Sequence, residues 1–440
     1  MCVILRIGEF SELSRLCSGA AATRGTRRRC THVLAILVTG AVFTACGGSA
    51  ADTPSPAITT RDSAGVVIVE HPAAAIAALP TWTIDSVPEL KLQPPEEEGF
   101  TAIGDILELP DGRLLVADRR LRDVREFAPT GAFTRVVARS GAGPGEVTFV
   151  SRLQHLPGDT LAILDGNARL ASLFDAAGRY LTRVQYPRLT DGSSLRMVSR
   201  LHDGRWTATI SPPAVPPKKF DGTIRRDSLV VVRLAVGTNA DVASLDTLAR
   251  VPDQEVFDVI TTQGGESWPD VESLRGGRAA YVASDGNRVV IGANERYELF
   301  EYRNARLARL VRVEATAEPM PADAAQRVIA WSEQATANLP VEARAELAAM
   351  RQNWRFAITK PFHERLQFGS DGTLWASAPT LLPTDARRYL VFDDAGRAIA
   401  HVALPAGVEP FRMTRDHILG TWIDENDVPH VMRWRLRVVR

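Results

Sequence analysis

The chain has 440 residues, with 52 Lys and Arg against 52 Asp and Glu, and 45% apolar residues. A balanced charge offers nucleic acid no bulk attraction, and no run of eighteen apolar residues calls for a spanning helix. All four cysteines (Cys2, Cys17, Cys30 and Cys46) lie in the first 46 residues, which excludes disulfides and thiolate metal sites from everything that follows.

The first element is an export signal. Arg24, Arg27, Arg28 and Arg29 form a basic cluster, an apolar stretch covers 33–43, and small residues Thr44 and Ala45 precede Cys46. A basic region, an apolar region of secretory length and a small-residue cleavage site are the three parts of a signal peptide. The ending Phe43-Thr44-Ala45-Cys46 resembles a bacterial lipobox, with Phe43 where leucine is usual. The resemblance implies cleavage before Cys46 and lipidation of its thiol. Residues 1–45 are then signal and 46–61 a flexible tether of small, polar and proline residues. Gly47 is not the aspartate that retains a lipoprotein at an inner membrane, so an outer-membrane or periplasmic-face location is expected.

Residues 62–92 hold strand-like runs at 65–70 and 82–85, with 73–79 ambiguous. From Ile103 to Glu146 four short apolar runs are cut by Asp111-Gly112 and Thr130-Gly131, pairs that favour hairpins because glycine tolerates positive φ. The pattern recurs 47 residues later: Leu114 maps to Leu161, Asp118 to Asp165, Phe127 to Phe174 and Gly131 to Gly178. A four-stranded unit at this period is the signature of a β-propeller. Further units begin near 195, 279, 365 and 411. The last supplies only about three strands, so the segment 62–92 is expected to complete it and remove the open sheet edge.

Three stretches break the period. A Pro-rich loop occupies 211–228. A Gly-rich loop is expected at 257–278, carrying Trp268, Asp270 and Arg275. Between the fourth and fifth units, Ala324, Val328, Trp331 and Ala335, then Ala343, Leu347, Met350 and Trp354, fall at helical spacing. Pro321 and Pro340 sit where helix starts tolerate proline. Residues 320–356 are therefore a helical insertion, either merely packing its apolar stripe on a propeller face or serving as a lid over the central channel or a partner-docking surface.

The run 109–118, with Val124 to Phe127, the Thr130-Gly131 turn and Gly141-Ala-Gly-Pro-Gly-Glu146, resembles an NHL-type repeat. The chain from about 60 onward resembles the bacterial six-bladed β-propeller lipoproteins of that kind. The resemblance implies an all-β fold of six four-stranded blades over 62–440, working outside the cytoplasm. Members of this kind include protein-binding and carbohydrate-associated modules and a few lyases or lactonases, and fold alone does not choose among them.

The chemistry-bearing motifs are sparse. The Gly141–Glu146 run lacks the lysine and hydroxyl residue of a phosphate loop, and there is no nucleophile elbow and no His-Glu-x-x-His. Asp118 and Asp165 are read as caps of the turns that follow them, and Trp206, Trp375 and Trp422 as packing between blades. The run from Asp424 to Asp427 is oxygen-rich enough to hold calcium weakly but lacks the spaced ligands of a dedicated loop. No cofactor is otherwise expected. Trp268, Asp270, Arg275 and His363 are the candidate ligand-face contacts, His363 with Glu364 being read first as a surface pair. No catalytic residue is assigned. The expected function is a lipid-anchored, monomeric binding module holding a protein, small-molecule or carbohydrate ligand at the channel mouth. The alternative is a periplasmic metal-dependent hydrolase or lyase with its site in the central channel.

Overall fold

The computed structural model describes residues 57–95, 99–213, 222–263, 266–426 and 428–439. The expected signal segment, Cys46 and most of the expected tether lie outside these residues. The described chain opens with β1 (Thr59–Ser63), β2 (Val66–His71), the short α1 (Ala73–Ala77), β3 (Thr81–Ile84) and β4 (Leu90–Lys91). Residues 59–61, expected in the tether, are thus the start of a strand paired to β2.

Antiparallel meanders follow. The first is β5 (Ile103–Glu108), β6 (Leu114–Asp118), β7 (Asp123–Phe127) and β8 (Phe133–Ala138); the second is β9 (Val150–Leu156), β10 (Thr160–Asp165), β11 (Leu170–Phe174) and β12 (Tyr180–Gln185). Their second strands are apolar from Leu114 and Leu161 up to the closing Asp118 and Asp165, and every residue of β6 is buried. Such strands are covered on both faces by neighbouring sheets, so the alternation of a half-exposed strand disappears. At the rim β12 returns to exposure on most of its residues.

The next sheet holds β13 (Ser194–Arg200), β14 (Trp206–Ser211), β15 (Ile224–Val236), β16 (Val242–Gln263) and β17 (Glu266–Ser273). The expected Gly-rich loop at 257–278 is largely this β16–β17 hairpin, paired from Val256↔Ser273 to Gln263↔Glu266. Phe257 and Val259 alternate inward and cluster with Leu274 and Ala357, a period-two signal that the glycines and Pro269 obscured. Then come β18 (Tyr281–Asp285), β19 (Arg288–Gly292), β20 (Glu298–Arg303) and β21 (Arg306–Val313). After the insertion follow β22 (Leu366–Phe368), β23 (Leu374–Ser377), β24 (Arg388–Phe392) and β25 (Ala398–Ala403), and finally β26 (Val408–Met413), β27 (His417–Ile423) and β28 (Pro429–Val439).

The N-terminal strands do not complete a single unit. They run along the rim. β2 adds to β21 in parallel, with β1 outside it. β3 lies between β25 and β28 and joins the last two meanders into one nine-stranded sheet. Beside β28, β3 and then β4 together take the place of the missing fourth strand. Beyond β4 the Gln93 N–H donates to the Gly131 carbonyl (2.8 Å). Gly131 has φ +88°, and a Cβ there would lie 2.8 Å from the Lys91 carbonyl oxygen. This strap separates the sheets' actual composition (four to nine strands) from the uniform four-stranded pattern expected.

Side chains join the innermost strands of successive meanders. Leu153 N–H donates to Asp105, Gln154 exchanges hydrogen bonds with the Arg200 backbone, Ser199 meets Ser284, and Gln367 donates to the Phe411 carbonyl. Arg412 then pairs with Asp105. The last meander is thereby tied to the first, the closed arrangement of a β-propeller.

Candidate functional site

The insertion is built as the sequence spacing requires. α2 (Ala324–Ala335) and α3 (Val341–Gln352) are joined across Pro340. α2 buries Ala324 and Val328. α3 is fixed to α2 chiefly by Arg351, which is 8% exposed. Its guanidinium donates to the Ser332 hydroxyl (3.0 Å), the Ser332 carbonyl (3.0 Å) and the Thr336 hydroxyl (2.8 Å). A cation at a helix C-terminus also meets the negative end of the helix dipole.

Below the helices the chain enters and leaves through a short ladder. Met320 N–H donates to Ile358 O and Lys360 N–H to Glu318 O, both 2.8 Å. Arg275 bridges to Phe356 from the tail of β17, and its guanidinium carbon stacks 3.3 Å from the centre of the Trp354 ring. The loop 378–387 between β23 and β24 faces this stem. In the first meander the equivalent link is only 119–122.

These pieces enclose a cleft of about 670 Å³, within the range typical of ligand pockets. Arg275, Arg327, Lys360 and Arg388 supply positive charge, Glu318 and Asp385 negative charge, and Tyr297 and Phe362 aromatic surface. Lys360 pairs with Glu318 at 2.9 Å and Arg327 with Asp385 at 3.1 Å. The Lys360 hydrogen bond holds the Glu318 carboxyl below its ordinary range. The other Asp385 oxygen accepts the Leu381 and Leu382 N–H groups, each at 2.9 Å. Among the described residues, Arg275 and Arg388 make no ion pair, and the Arg275 Nε is buried without a hydrogen-bond partner. Burial pulls the Arg275 guanidinium below its usual value, against the nearby Glu272.

The sequence-derived candidates fall in different places. Arg275 lines the cleft. Asp270 is exposed on β17, opposite Val259. The backbone of Trp268 pairs with Thr261, and its side chain lies outside what is described. His363 is not a surface residue: it is 0% exposed, packed against Tyr281 and Tyr297 at 5.9 and 5.7 Å between ring centres. Gly292 must be bare, because a Cβ would lie 2.6 Å from His363 Nε2. Neither ring nitrogen has a hydrogen-bond partner among the described residues, and burial lowers its pKa to about 4. Beside it Glu364 accepts from the Thr380 hydroxyl (3.2 Å), and burial raises its carboxyl above the ordinary range.

One other reading changes. Trp206 and Trp375 are buried as expected, but Trp422 is 40% exposed and stacks on His430 instead. Asp424 accepts N–H bonds from Asn426 and Val428 and pairs with His430, as an ordinary turn does; Asp427 is outside the described residues. Among the described residues no group of three or more His, Cys, Asp or Glu is placed to hold a metal.

Lys360, Arg388, Tyr297, Phe362 and Arg327 were not singled out from sequence. Their signal was indirect: each flanks a place where the chain departs from the repeat. The cleft draws on no residue of β18 or β22; its lining comes from the loops around them, from α2 and from Arg388 of β24.

No known family matches the chain by sequence, and no curated protein does. Solved structures resemble it in shape. One is a Bacteroides fragilis protein described as exported (13% identity, 85% of this chain and 100% of that one, TM-score 0.44). Another is a DUF4221 member from Bacteroides vulgatus (9% identity, 81% and 99%, TM-score 0.44). A third is the calcium-binding protein regucalcin from Agrobacterium tumefaciens (11% identity, 81% and 96%, TM-score 0.35). At TM-scores below 0.5 none of these bears on activity.

Proposed function

We propose that the chain is an exported, lipid-anchored, six-bladed β-propeller whose task is to bind a ligand in the cleft beneath its helical insertion. The cleft carries the reading. It is the place where the insertion, the lengthened 378–387 loop and the tail of β17 converge, and those are the segments a bare propeller does not need. Six blades accord with the closed ring of inner strands, with β4 and β3 supplementing the last blade. Export and lipidation at Cys46 rest on the basic, apolar and small-residue segments that precede it.

A metal-dependent hydrolase in the channel would need donors converging on the axis. Among the described inner-strand groups, Asp105 is instead engaged by Arg412. Binding therefore explains more of the molecule than turnover does.

The test is a ligand-observed NMR screen of small fragments against the mature protein and an Ala386→Trp variant. Ala386 is an exposed lining residue, and an indole there should fill the cleft without disturbing the core. Fragments bound by the parent and lost in the variant support the reading. Fragments bound equally by both place the ligand elsewhere and overturn it. Palmitate incorporation that survives Cys46→Ala would overturn the anchor.

A further inference from the structure

The charge inside the cleft points to the kind of ligand it takes. Four cationic side chains line it against two carboxylates. Both carboxylates are already occupied, Glu318 by Lys360 and Asp385 by Arg327 and two backbone N–H groups. What is left over is positive. Arg388 is exposed and close enough to bias Glu318 electrostatically without pairing to it. Arg275 is held flat on Trp354 and bonded through its backbone to the insertion on both sides (Arg275 N–H to Arg355 O at 2.9 Å, Ala357 N–H to Arg275 O at 3.0 Å).

An arginine with a fixed plane is a pre-organised fork for the paired oxygens of a carboxylate or phosphate. The Arg275 guanidinium is partly desolvated, Glu272 is near but not hydrogen-bonded to it, and its Nε is buried without a partner among the described residues, so an incoming anion would offset part of the desolvation cost. Much of the rest of the wall is apolar or aromatic, with Tyr297, Phe362, Val328, Pro379 and Leu381, beside the hydroxyls of Thr316 and Thr380. We infer that the cleft binds a small molecule with one carboxylate or phosphate group on an apolar or aromatic body, the anion held by Arg275 and Arg388 and the body lying on Tyr297 and Phe362. This inference rests on the reading of the cleft as the ligand site.

The test uses four probes of one shape: benzoate, phenyl phosphate, benzyl alcohol and benzylammonium. Binding is measured by calorimetry or ligand-observed NMR on the mature protein at low and high salt. The expected result is that an anionic probe binds about tenfold more tightly than the neutral and cationic ones, the scale of a charge-assisted hydrogen-bond pair, and that salt weakens it. Preference between benzoate and phenyl phosphate tells a carboxylate ligand from a phosphate one. Arg388→Gln should weaken anion binding. Glu318→Gln should strengthen it by freeing Lys360, a gain that no folding defect imitates.

Two results overturn the inference and are distinguishable. If benzyl alcohol or benzylammonium binds as tightly as the anions and Ala386→Trp abolishes that binding, the cleft is the site but the ligand class is wrong. If no probe shows binding sensitive to Ala386→Trp, the cleft reading falls with it. Anion binding unchanged in both Arg388→Gln and Glu318→Gln also sinks the assignment.

Discussion

Asp105 and Arg412, 307 residues apart, are joined by two parallel hydrogen bonds, Nη1 to Oδ1 at 2.8 Å and Nη2 to Oδ2 at 3.1 Å. The Arg412 guanidinium also donates to the Phe411 and Leu153 carbonyls, and the Asp105 carboxylate accepts the Ile106 and Leu153 N–H groups. One pair thus ties the first, second and last meanders together. Asp105 is only 7% exposed, so removing either partner strands a charge. Asp105→Ala and Arg412→Ala should each cost about 3–5 kcal/mol. The double variant should cost clearly less than the sum. Urea unfolding at neutral pH measures all three, and additivity would show that the pair does not couple the ring.

Asp118 illustrates a different use of a buried carboxylate. It is 1% exposed and receives five donors: Thr101 N–H, the Thr101 hydroxyl, and the N–H groups of Ala102, Arg120 and Leu121. Burial alone would raise its pKa, but these bonds outweigh that and hold it below the ordinary value. Asp165 repeats the arrangement on Thr148, Phe149 and Ala168. Asp118→Ala should destabilise the domain by about 2 kcal/mol or more, because several donors lose their acceptor. Millimolar calcium should leave the wild-type midpoint unchanged, since both oxygens are filled; a calcium-dependent rise in melting temperature would contradict the capping role.

His363 should make the domain acid-sensitive. Its native pKa is lowered to about 4 by burial from the ordinary 6.5. Between these values the unfolded chain binds a proton that the native state does not, so stability falls as pH falls from 6.5 toward 4. The whole window corresponds to about 3 kcal/mol. Buried His71, whose pKa is also lowered by burial, acts in the same direction. Chemical denaturation at pH 7 and pH 4.5 should show a smaller loss for His363→Leu than for wild type. Equal losses in the two proteins would refute the assignment.

Arg351 should govern the insertion alone. Its three hydrogen bonds go to Ser332 of α2 and to Thr336 at its C-cap, so Arg351→Met should loosen α3 while leaving the β-sheets intact. Hydrogen exchange should speed up across α3 by about tenfold or more, the effect of losing 1.5–3 kcal/mol of charge-assisted bonding. Exchange in β6 and β10 should not change. A uniform acceleration across the domain would mean that the insertion is an integral part of the core.

The repeat was legible because its determinants are local. Asp111-Gly112 and Thr130-Gly131 make turns within four residues, and Gly112 and Gly131 do adopt φ +84° and +88°. The apolar run of β6 and its copy in β10 show burial on both faces. Helical spacing marked α2 and α3 for the same reason. The β16–β17 hairpin was missed because composition resembled a loop while the informative alternation, Phe257 and Val259, was short.

The sequence by itself determined the β-rich repeat, the turn aspartates, the helical insertion and an N-terminal segment with the features of an export signal. Tertiary structure alone decided that the N-terminal strands run as a strap along the rim, that His363 is buried, and that Arg275, Tyr297, Lys360 and Arg388 line one cleft. The physical reason is range. Turn and helix preferences act between residues a few positions apart. The cleft and the Asp105–Arg412 closure exist only after the sheets have packed and brought distant loops together.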